Sequence, residues 1–277
     1  MTVDVICADP AFLDLTFAGL PGLPPAGGEL FAHDLHVGPG GAAITAIGLA
    51  RLGLRVALAK PLGSDLPGRT LRELLEAEGV ACAAGETART PVTVVLPFAG
   101  DRAMVSYAPP PEVDRTPLDA DGARAVVIAL DRVDLVAGAP LIYAVLADPQ
   151  AARLAGALPR QLARARAVLA NRSEAERLTG KRNPEEAALA LAEVVQTAVV
   201  TCGPDGAVAA SEGAVHTAPA PTVEVVDTTG AGDLFTAAYV WGDLEGLPLE
   251  ERLRRAVVYA SRSVGTHATT AGAGYEA

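Results

Sequence analysis

The sequence of 277 residues has few cysteines, no long uncharged apolar run and fewer basic than acidic residues. Its three cysteines, Cys7, Cys82 and Cys202, are far apart and form no Cys-x-x-Cys or Cys/His group, so neither a disulfide framework nor a zinc site is predicted. No run of about 18 uncharged apolar residues occurs, so no membrane span is expected. The net charge of −11 argues against a nucleic-acid-binding surface, because binding to a phosphate backbone requires a basic face.

Metal-binding and targeting signals are also missing. The histidines show no metal-ligand spacing, and none of His33, His36, His216 and His267 is expected to bind a metal. The N-terminal stretch is apolar but carries three aspartates and no basic start, which favours a first strand over a signal peptide. A cytoplasmic location is therefore the expectation.

The composition supports a large folded core. Hydrophobic residues make up 50% of the chain and charged residues 20%, and the length suffices for one large α/β domain or two small ones. Strand-like apolar runs alternate with helical patterns over most of the chain, which is typical of a mainly parallel sheet with helices on both faces. Two extended regions, about 12–38 and 90–108, do not fit this alternation and predict a small β-sheet lid.

Local patterns predict individual elements. The stretch "GPGGAAITAIGLARLG" (38–53) has the apolar spacing of a helix, and Gly53 is suited to end it. The stretch "DGARAVVIAL" (121–130) predicts another helix. Between Leu135 and Leu146 we expect the strand-linking helix to be reduced or absent, so that the middle of the sheet is abbreviated.

The stretch "VEVVDTTGAGDLFTAAYV" (223–240) places carboxylates on both sides of a glycine-rich turn. A strand ends here, the chain turns through Gly230, Ala231 and Gly232, and a helix begins near Asp233. Glycines let an anion approach backbone N–H groups closely, and the start of a helix adds partial positive charge. Such a turn can hold the negative charge that develops on a transferred phosphoryl group, while Asp233 accepts a proton from an attacking hydroxyl.

Two further oxygen-bearing residues precede this turn. Asp227 and Thr229 offer oxygens to a cation. The structural alternative for the whole stretch is a tight turn followed by a capped helix, which requires no ligand. The stretch taken alone leaves both interpretations open.

Six motifs, in the expected order, resemble those of the ribokinase-like (PfkB) carbohydrate kinases, from about Val3 to Ala273. In chain order they are "GPGGAAITAIGLARLG", "GSDLPG", "TPVTVVLPFAGDR", "NRSEAERLTG", "VVTCGPDGA" and "DTTGAGD". The resemblance implies a single ribokinase-like α/β domain over 1–277, with helices on both faces of a mainly parallel sheet and a small β-sheet lid. It also implies transfer of the γ-phosphoryl group of ATP, with Mg²⁺, to a hydroxyl of a small sugar or sugar derivative.

The resemblance also implies roles for individual residues. Asp233 is implied to be the catalytic base, and the backbone N–H groups of Gly230, Ala231 and Gly232 are implied to form the anion hole. Glu174 is implied to organise Mg²⁺, through water, together with Asn171. A structural alternative for this pair is that Ser173 caps a helix and Glu174 lies in its favourable first turn.

Nucleotide and cation sites follow from the same resemblance. The residues implied to contact the nucleotide are Asn171, Thr201, Gly203, Gly206, Gly232 and Ser261. Asp227 and Thr229 are implied to bind a monovalent cation such as K⁺.

The implied substrate side involves five residues. Asp14 resembles an aspartate that contacts the acceptor, although an ordinary surface position is the alternative. Gly40 and Gly41 resemble glycines that let substrate lie against backbone, and a simple loop-to-helix turn is the alternative. Thr45 stands where many relatives carry a substrate-binding asparagine, which predicts a less polar wall. Arg102 either crosses the mouth of the site or simply closes a hairpin.

Other functions remain open at this stage. The less polar wall motivates a nucleoside kinase of the same fold. The altered di-glycine region motivates a non-catalytic protein that senses a sugar or a nucleotide, although an intact base beside an anion hole argues against it. The exposed edges of a small β-lid make a homodimer plausible.

Overall fold

The computed structural model describes residues 3–82, 85, 87, 89–98, 101–108, 116–138, 140–146, 154, 156, 158–265 and 274. Within these residues the α-helices are α1 (Ala42–Arg51), α2 (Leu66–Ala77), α3 (Arg172–Thr179), α4 (Pro184–Ala192), α5 (Ala231–Leu244) and α6 (Leu249–Ser263). The strands are β1 (Val5–Cys7), β2 (Ala11–Ala18), β3 (Asp34–Gly41), β4 (Val56–Leu58), β5 (Ala81–Cys82), β6 (Val92–Phe98), β7 (Asp101–Tyr107), β8 (Leu118–Asp119), β9 (Ala125–Ala129), β10 (Val136–Ala137), β11 (Leu141–Val145), β12 (Ala167–Asn171), β13 (Thr197–Thr201), β14 (Ala207–Ser211) and β15 (Ala214–Ala218).

Local capping explains where two helices begin. The side chain of Asp65 accepts a hydrogen bond from the backbone N–H of Gly68, at 3.1 Å, at the start of α2. Asn183 does the same for α4, because its side chain accepts from the N–H groups of Glu185 and Glu186. These caps satisfy backbone donors that have no partner inside the helix.

The central sheet has nine strands in the order β15-β14-β13-β12-β11-β9-β1-β4-β5. Neighbouring strands from β13 to β5 pair in parallel, whereas β13–β14 and β14–β15 are antiparallel. The carboxyl ends of the parallel strands therefore meet at one edge of the sheet. In open α/β sheets that edge is where ligands bind.

Helices cover both faces of this sheet, as predicted. Side chains alternate along each strand, so Val5 and Cys7 face one core while Val126 and Ile128 face the other. The first core includes residues of α1, α2, α5 and α6, and the second includes residues of α3 and α4. Within the described ranges, every helix is too short or too polar to traverse a bilayer.

The helix expected over 121–130 is wrong. Residues Ala125–Ala129 form β9, and all five are buried. A strand covered on both faces of a parallel sheet reads as a continuous apolar run, which periodicity alone does not distinguish from a buried helix. After β9 the chain passes through a 3-10 helix at Leu130–Leu135, and the described part of 135–146 contains no α-helix. The middle of the sheet is nevertheless continuous, because β11 pairs with both β9 and β12.

A second, four-stranded sheet has the order β3-β2-β6-β7. Strands β2 and β6 are parallel, and the other two pairs are antiparallel. Asp14 lies opposite Thr93, which lies opposite Ser106, so these polar residues share one face. The predicted small sheet is present, the tip residues 99–100 lie outside the described residues, and its action as a lid stays a prediction.

Helix α5 is held against α1 and anchored at its far end. A Cβ on Gly48 of α1 would lie 2.8 Å from the Cβ of Ala237 and 2.9 Å from Leu234 Cδ2 on α5, so the helices approach closely where α1 has no side chain. At the other end, Asp243 accepts hydrogen bonds from Arg166 Nε at 2.8 Å and Tyr143 Oη at 2.7 Å. The first turn of α5 is thereby fixed at the edge of the central sheet.

Candidate active site

The glycine turn and the start of α5 form the centre of the site. Gly230 is the N-cap of α5, with a φ of 78° that favours glycine. Ala231 and Gly232 occupy the first two helical positions, and Asp233 lies in the first turn. Backbone N–H groups in a first helical turn have no partner within the helix and can bind an anion. The N–H of Ala231 also donates a long hydrogen bond of 3.4 Å to the carbonyl oxygen of Thr228.

The Asp233 carboxylate lies in a mainly acidic and partly buried environment. Burial, as the largest cause, and the neighbouring carboxylates of Asp14, Asp9 and Glu174 together raise its pKa to about 7. The hydroxyl of Thr45 acts in the opposite direction, because it donates a hydrogen bond to Asp233 Oδ1 at 3.3 Å. A carboxyl group with a pKa near neutrality is suited to accept a proton at the pH of a cell.

Asp14 reaches the same region from β2 of the small sheet. It is 8% exposed, and burial raises its pKa to about 6, against the effect of a hydrogen bond from Thr93. A side chain on Gly40 would overlap the Asp14 carboxylate, so these two predicted substrate residues are brought together. Gly41 has a φ of 57°, and a Cβ there would lie 2.8 Å from the carbonyl oxygen of Pro10. The backbone therefore requires the second glycine, whatever its role toward substrate.

Asn171 and Glu174 form a capping box at the start of α3. Asn171 Oδ1 accepts from the N–H of Glu174 at 2.9 Å, and Glu174 Oε2 accepts from the N–H of Asn171 at 2.8 Å. The alternative in which Ser173 caps this helix is wrong, since Asn171 is the N-cap. Glu174 is only 6% exposed, so its carboxylate is held at a buried position beside the site.

A cavity of about 180 Å³ joins Asn171 and Glu174 to Gly232 and Asp233 at the carboxyl edge of the sheet. Its lining residues are Val145, Leu146, Leu169, Ala170, Asn171, Glu174, Thr201, Gly232, Asp233, Phe235 and Thr236. Asn171 and Thr201 are register partners at the ends of β12 and β13, which explains why both reach it. A wider cleft of about 520 Å³, between the start of α2 and the small sheet, contains none of the predicted site residues.

The remaining nucleotide candidates do not line this cavity. Gly203 and Gly206 lie in the turn after β13 with φ values of 59° and 89°. A Cβ on Gly206 would lie 2.7 Å from the backbone nitrogen of Ala220, so the fold itself requires that glycine. The hydroxyl of Ser261 donates to the carbonyl of Val257 in its own helix at 2.8 Å.

Arg102 links the small sheet to the loop before α5. Its Nη1 donates to Thr228 Oγ1 at 2.5 Å, so the start of β7 contacts the loop that leads into the glycine turn. In that loop Asp227 Oδ1 accepts from the N–H of Thr229 at 2.8 Å. The buried hydroxyl oxygen of Thr229 has no hydrogen-bond partner in the described structure. An orphaned buried oxygen beside a carboxylate fits a cation with oxygen ligands.

The donor set for a divalent metal is small. Among the residues that the structure describes, no group of three or more His, Cys, Asp and Glu side chains is arranged to hold a metal ion. Glu174 and Asp233 both line the cavity, and the Glu174 carboxylate lies next to the Asn171 amide, which fits Mg²⁺ held through water and phosphate.

The sequence interpretation missed Asp9. Asp9 stands two residues after β1, at the edge where the parallel strands end. That position in the sequence could have indicated a site residue. Burial raises the pKa of Asp9 to about 6, and Arg132 Nη1 contacts its Oδ1 at 3.4 Å. Thr228, the partner of Arg102, was also missed, because no local pattern indicates a contact between residues so far apart in the chain.

The mostly parallel nine-stranded sheet with helices on both faces and a small second sheet is the ribokinase-like fold. A family model described as "pfkB family carbohydrate kinase" matches residues 26–274, and the chain belongs to that family. Predicted family and fold are thus both confirmed.

Individual relatives agree with this assignment. An uncharacterized sugar kinase of Archaeoglobus fulgidus is 29% identical over 224 residues, which are 74% of this chain and 89% of that protein. A 1-phosphofructokinase of Haloferax volcanii is 38% identical over 105 residues, a match that spans only 34% of that protein and 36% of this chain.

Solved structures share the fold over nearly the whole chain. Arabidopsis thaliana ribokinase complexed with ribose and ATP gives a TM-score of 0.78 at 24% identity, with 98% of this chain and 96% of that chain covered. A nucleoside kinase of Methanocaldococcus jannaschii gives a TM-score of 0.78 at 19% identity, with 98% of this chain and 94% of that chain covered.

Proposed function

We propose that this protein is an ATP-dependent kinase that transfers the γ-phosphoryl group to a hydroxyl of a small sugar or sugar derivative. The observation that carries the proposal is the position of Asp233. Its carboxylate lies in the first turn of α5, directly after the Gly230 N-cap, and lines a cavity with Asn171 and Glu174. Asp14 approaches the same carboxylate from the small sheet.

The proposed reaction uses Asp233 as the base. Its carboxylate takes the proton of the acceptor hydroxyl, the oxygen forms a bond to the γ-phosphorus, and the bond from that phosphorus to the leaving oxygen of ADP breaks. The proton finishes on Asp233, whose pKa of about 7 lets it bind and release a proton near neutral pH.

The first turn of α5 acts as the anion hole. The N–H groups of Gly230, Ala231 and Gly232 stabilise the charge that builds up on the transferred group. A Cβ on Gly232 would meet no atom of the chain within 4 Å, so open space for a phosphate lies directly in front of this residue.

On the nucleotide side, Asn171 and Thr201 contact the polyphosphate, and Gly203, Gly206 and Ser261 lie further along the nucleotide. The ATP bound in Arabidopsis thaliana ribokinase supports a nucleotide site in this fold. Glu174 holds Mg²⁺ through water, and the metal neutralises phosphate charge when it is bound. Asp227 and the orphaned Thr229 oxygen hold a monovalent cation such as K⁺.

On the acceptor side, Asp14 accepts hydrogen bonds from substrate hydroxyl groups, and Gly40 and Gly41 contact the substrate through their backbone beside that carboxylate. Arg102 ties the small sheet, acting as a lid, to the loop before the anion hole through its hydrogen bond to Thr228. A nucleoside acceptor is the second candidate, motivated by the single hydroxyl of Thr45 on this wall, and the nucleoside kinase of M. jannaschii supports it at the level of fold.

We also propose a homodimer through the small sheet. Four uncharged side chains on its outer face, Leu35, Val37, Val105 and Tyr107, are between 46% and 68% exposed. In a chain with a net charge of −11, such a face matches a second copy of itself better than it matches a charged partner. Sedimentation velocity over a range of concentrations measures the association.

The test of the proposed function is a kinase assay with Asp233→Asn. The wild-type chain, with ATP and Mg²⁺, should release ADP with some member of a panel of sugars and nucleosides. Asp233→Asn should lower kcat by roughly 10²–10⁴-fold while nucleotide binding is retained. Asp121→Asn, at an exposed turn remote from the cavity, is the matched control and should keep wild-type activity. Unchanged turnover in Asp233→Asn contradicts the assigned base, and tight ligand binding without any ADP release would favour a sensor protein.

A further inference from the structure

The side chain of Thr45 points at Asp233, the proposed base, and not at open space. Its Oγ1 lies 3.3 Å from Asp233 Oδ1 and 3.4 Å from the Asp233 carbonyl oxygen, and the residue is only 4% exposed. We propose that Thr45 is a positioning residue, whose hydroxyl holds the Asp233 carboxylate in one orientation and favours its ionised form, an inference that rests on the proposed role of Asp233 as base. This differs from the substrate-binding role that the resemblance implied.

The packing of α1 on α5 fixes this contact. Gly48 is one helical turn beyond Thr45 on α1, and Ala237 is one turn beyond Asp233 on α5, so both pairs lie on the facing sides of the two helices. The missing side chain at Gly48 lets the helices approach, with 2.8 Å between an added Cβ and that of Ala237. Since both helices belong to the same buried core, the hydroxyl of Thr45 is held by rigid elements and not by the small sheet.

The charges around Asp233 make this hydroxyl important. Carboxylates face Asp233 from three other elements: Asp14 from β2, Asp9 from the segment after β1, and Glu174 from α3. All three disfavour a second negative charge. The Cys7 thiol of β1, whose pKa is raised by burial, stays uncharged beside them.

Few groups offset the negative charge of these carboxylates. Two cations, Lys60 and Arg132, act on Asp9, and the start of α5 contributes its partial positive charge to Asp233. When Asp233 is ionised, the single proton of the Thr45 hydroxyl is directed to the carboxylate in preference to the neutral carbonyl, because hydrogen bonds to a charged acceptor are stronger. A threonine at this position therefore offsets part of the repulsion that the acidic cluster creates.

The experiment compares Thr45→Val and Thr45→Ser through pH profiles of kcat and of kcat/KM. Valine keeps the shape of the side chain and removes the hydrogen-bond donor. The acidic limb of the pH profile should therefore move to higher pH by roughly half a pH unit to one pH unit. Turnover should fall several-fold more on the acidic side than on the alkaline side, with KM for ATP within about twofold of wild type. Serine keeps the hydroxyl and should restore the wild-type limb. Thr179→Val, which removes a helical hydroxyl bonded to the Ala175 carbonyl in α3, is the matched control and should leave the profile unchanged.

Several outcomes would overturn the proposal. It is contradicted if the acidic limb of Thr45→Val stays at the wild-type pH, or if Thr45→Ser behaves like Thr45→Val. It is also contradicted if Thr45→Val raises only the KM for the acceptor, because that would indicate a substrate contact. If Thr45→Val does not fold, Thr45→Ala provides the same comparison with a smaller side chain. Asp233→Asn is measured in parallel. Loss of turnover there together with an unmoved limb in Thr45→Val rejects only the positioning role, whereas full turnover in Asp233→Asn rejects the proposed function itself.

Discussion

The carboxylate of Asp14 occupies the space that a side chain on Gly40 would need. The two residues lie on neighbouring antiparallel strands, β2 and β3. Gly40 does not have a positive φ, so the backbone itself would accept alanine, and the three atoms nearest to an added Cβ all belong to the Asp14 carboxylate. The glycine is therefore explained by the position of a side chain that we assign to substrate binding.

Gly40→Ala should impair the acceptor side selectively. The added methyl group displaces Asp14 or moves β3, so kcat/KM for the acceptor should fall by roughly 10-fold or more, while KM for ATP stays near the wild-type value. Steady-state kinetics with each substrate varied in turn measures this. Gly22→Ala is the control, because a Cβ at Gly22 meets no atom within 4 Å and the position has no positive φ. Equal loss toward both substrates would show that Gly40 supports the fold and not acceptor binding.

Gly232→Ala should separate stability from activity. A Cβ there meets no atom of the chain, the position has no positive φ, and alanine is favoured over glycine within a helix by about 1 kcal/mol. Tm should therefore stay the same or rise slightly. The methyl group would instead occupy the space proposed for phosphate, so kcat should fall by roughly 10-fold or more. Thermal melts and the kinase assay on the same sample measure both quantities.

Gly230→Ala provides the contrast. Its φ of 78° strains any residue with a Cβ, so this variant should lose stability as well as activity. Full activity in Gly232→Ala would show that the anion does not bind in front of this turn.

Asp233→Asn should be more stable than the wild-type chain at alkaline pH. The pKa of Asp233 in the folded state, about 7, is above its ordinary value, so the folded chain binds this proton more tightly than the unfolded chain does. Between about pH 4 and 7 the stability contributed by this group therefore falls as pH rises. Above that window the buried carboxylate is charged beside Asp14 and Asp9, and the amide removes that cost.

Thermal melts near pH 8 and near pH 5 test this. Asp233→Asn should raise Tm by a few degrees near pH 8. The gain should shrink near pH 5, where Asp233 of the wild-type chain is already protonated. A gain of equal size at both pH values, or a lower Tm near pH 8, would show that the charge on Asp233 is not a cost to the fold.

The sequence predicted the site at α5 because the determining interactions there are local. A glycine with positive φ, a helix start and a carboxylate in the first turn all follow from a few adjacent residues. The same holds for Asn171 and Glu174, although Asn171, and not Ser173, proved to be the cap. The prediction of a helix over 121–130 is wrong because the apolar run of β9 shows neither helical nor strand periodicity. Burial on both faces by distant elements decides its conformation.

The sequence by itself determined the family, the α/β class and the glycine turn with a carboxylate at the start of α5, since each depends on short stretches whose backbone preferences are local. Only the tertiary structure decided that Thr45 contacts Asp233, that Asp14 fills the space beside Gly40, and that Asp9 adds its charge to the same cluster. These relationships join residues far apart in the chain. They arise because parallel strands end at a common edge and because two helices pack at a glycine, and neither arrangement leaves a local pattern in the sequence.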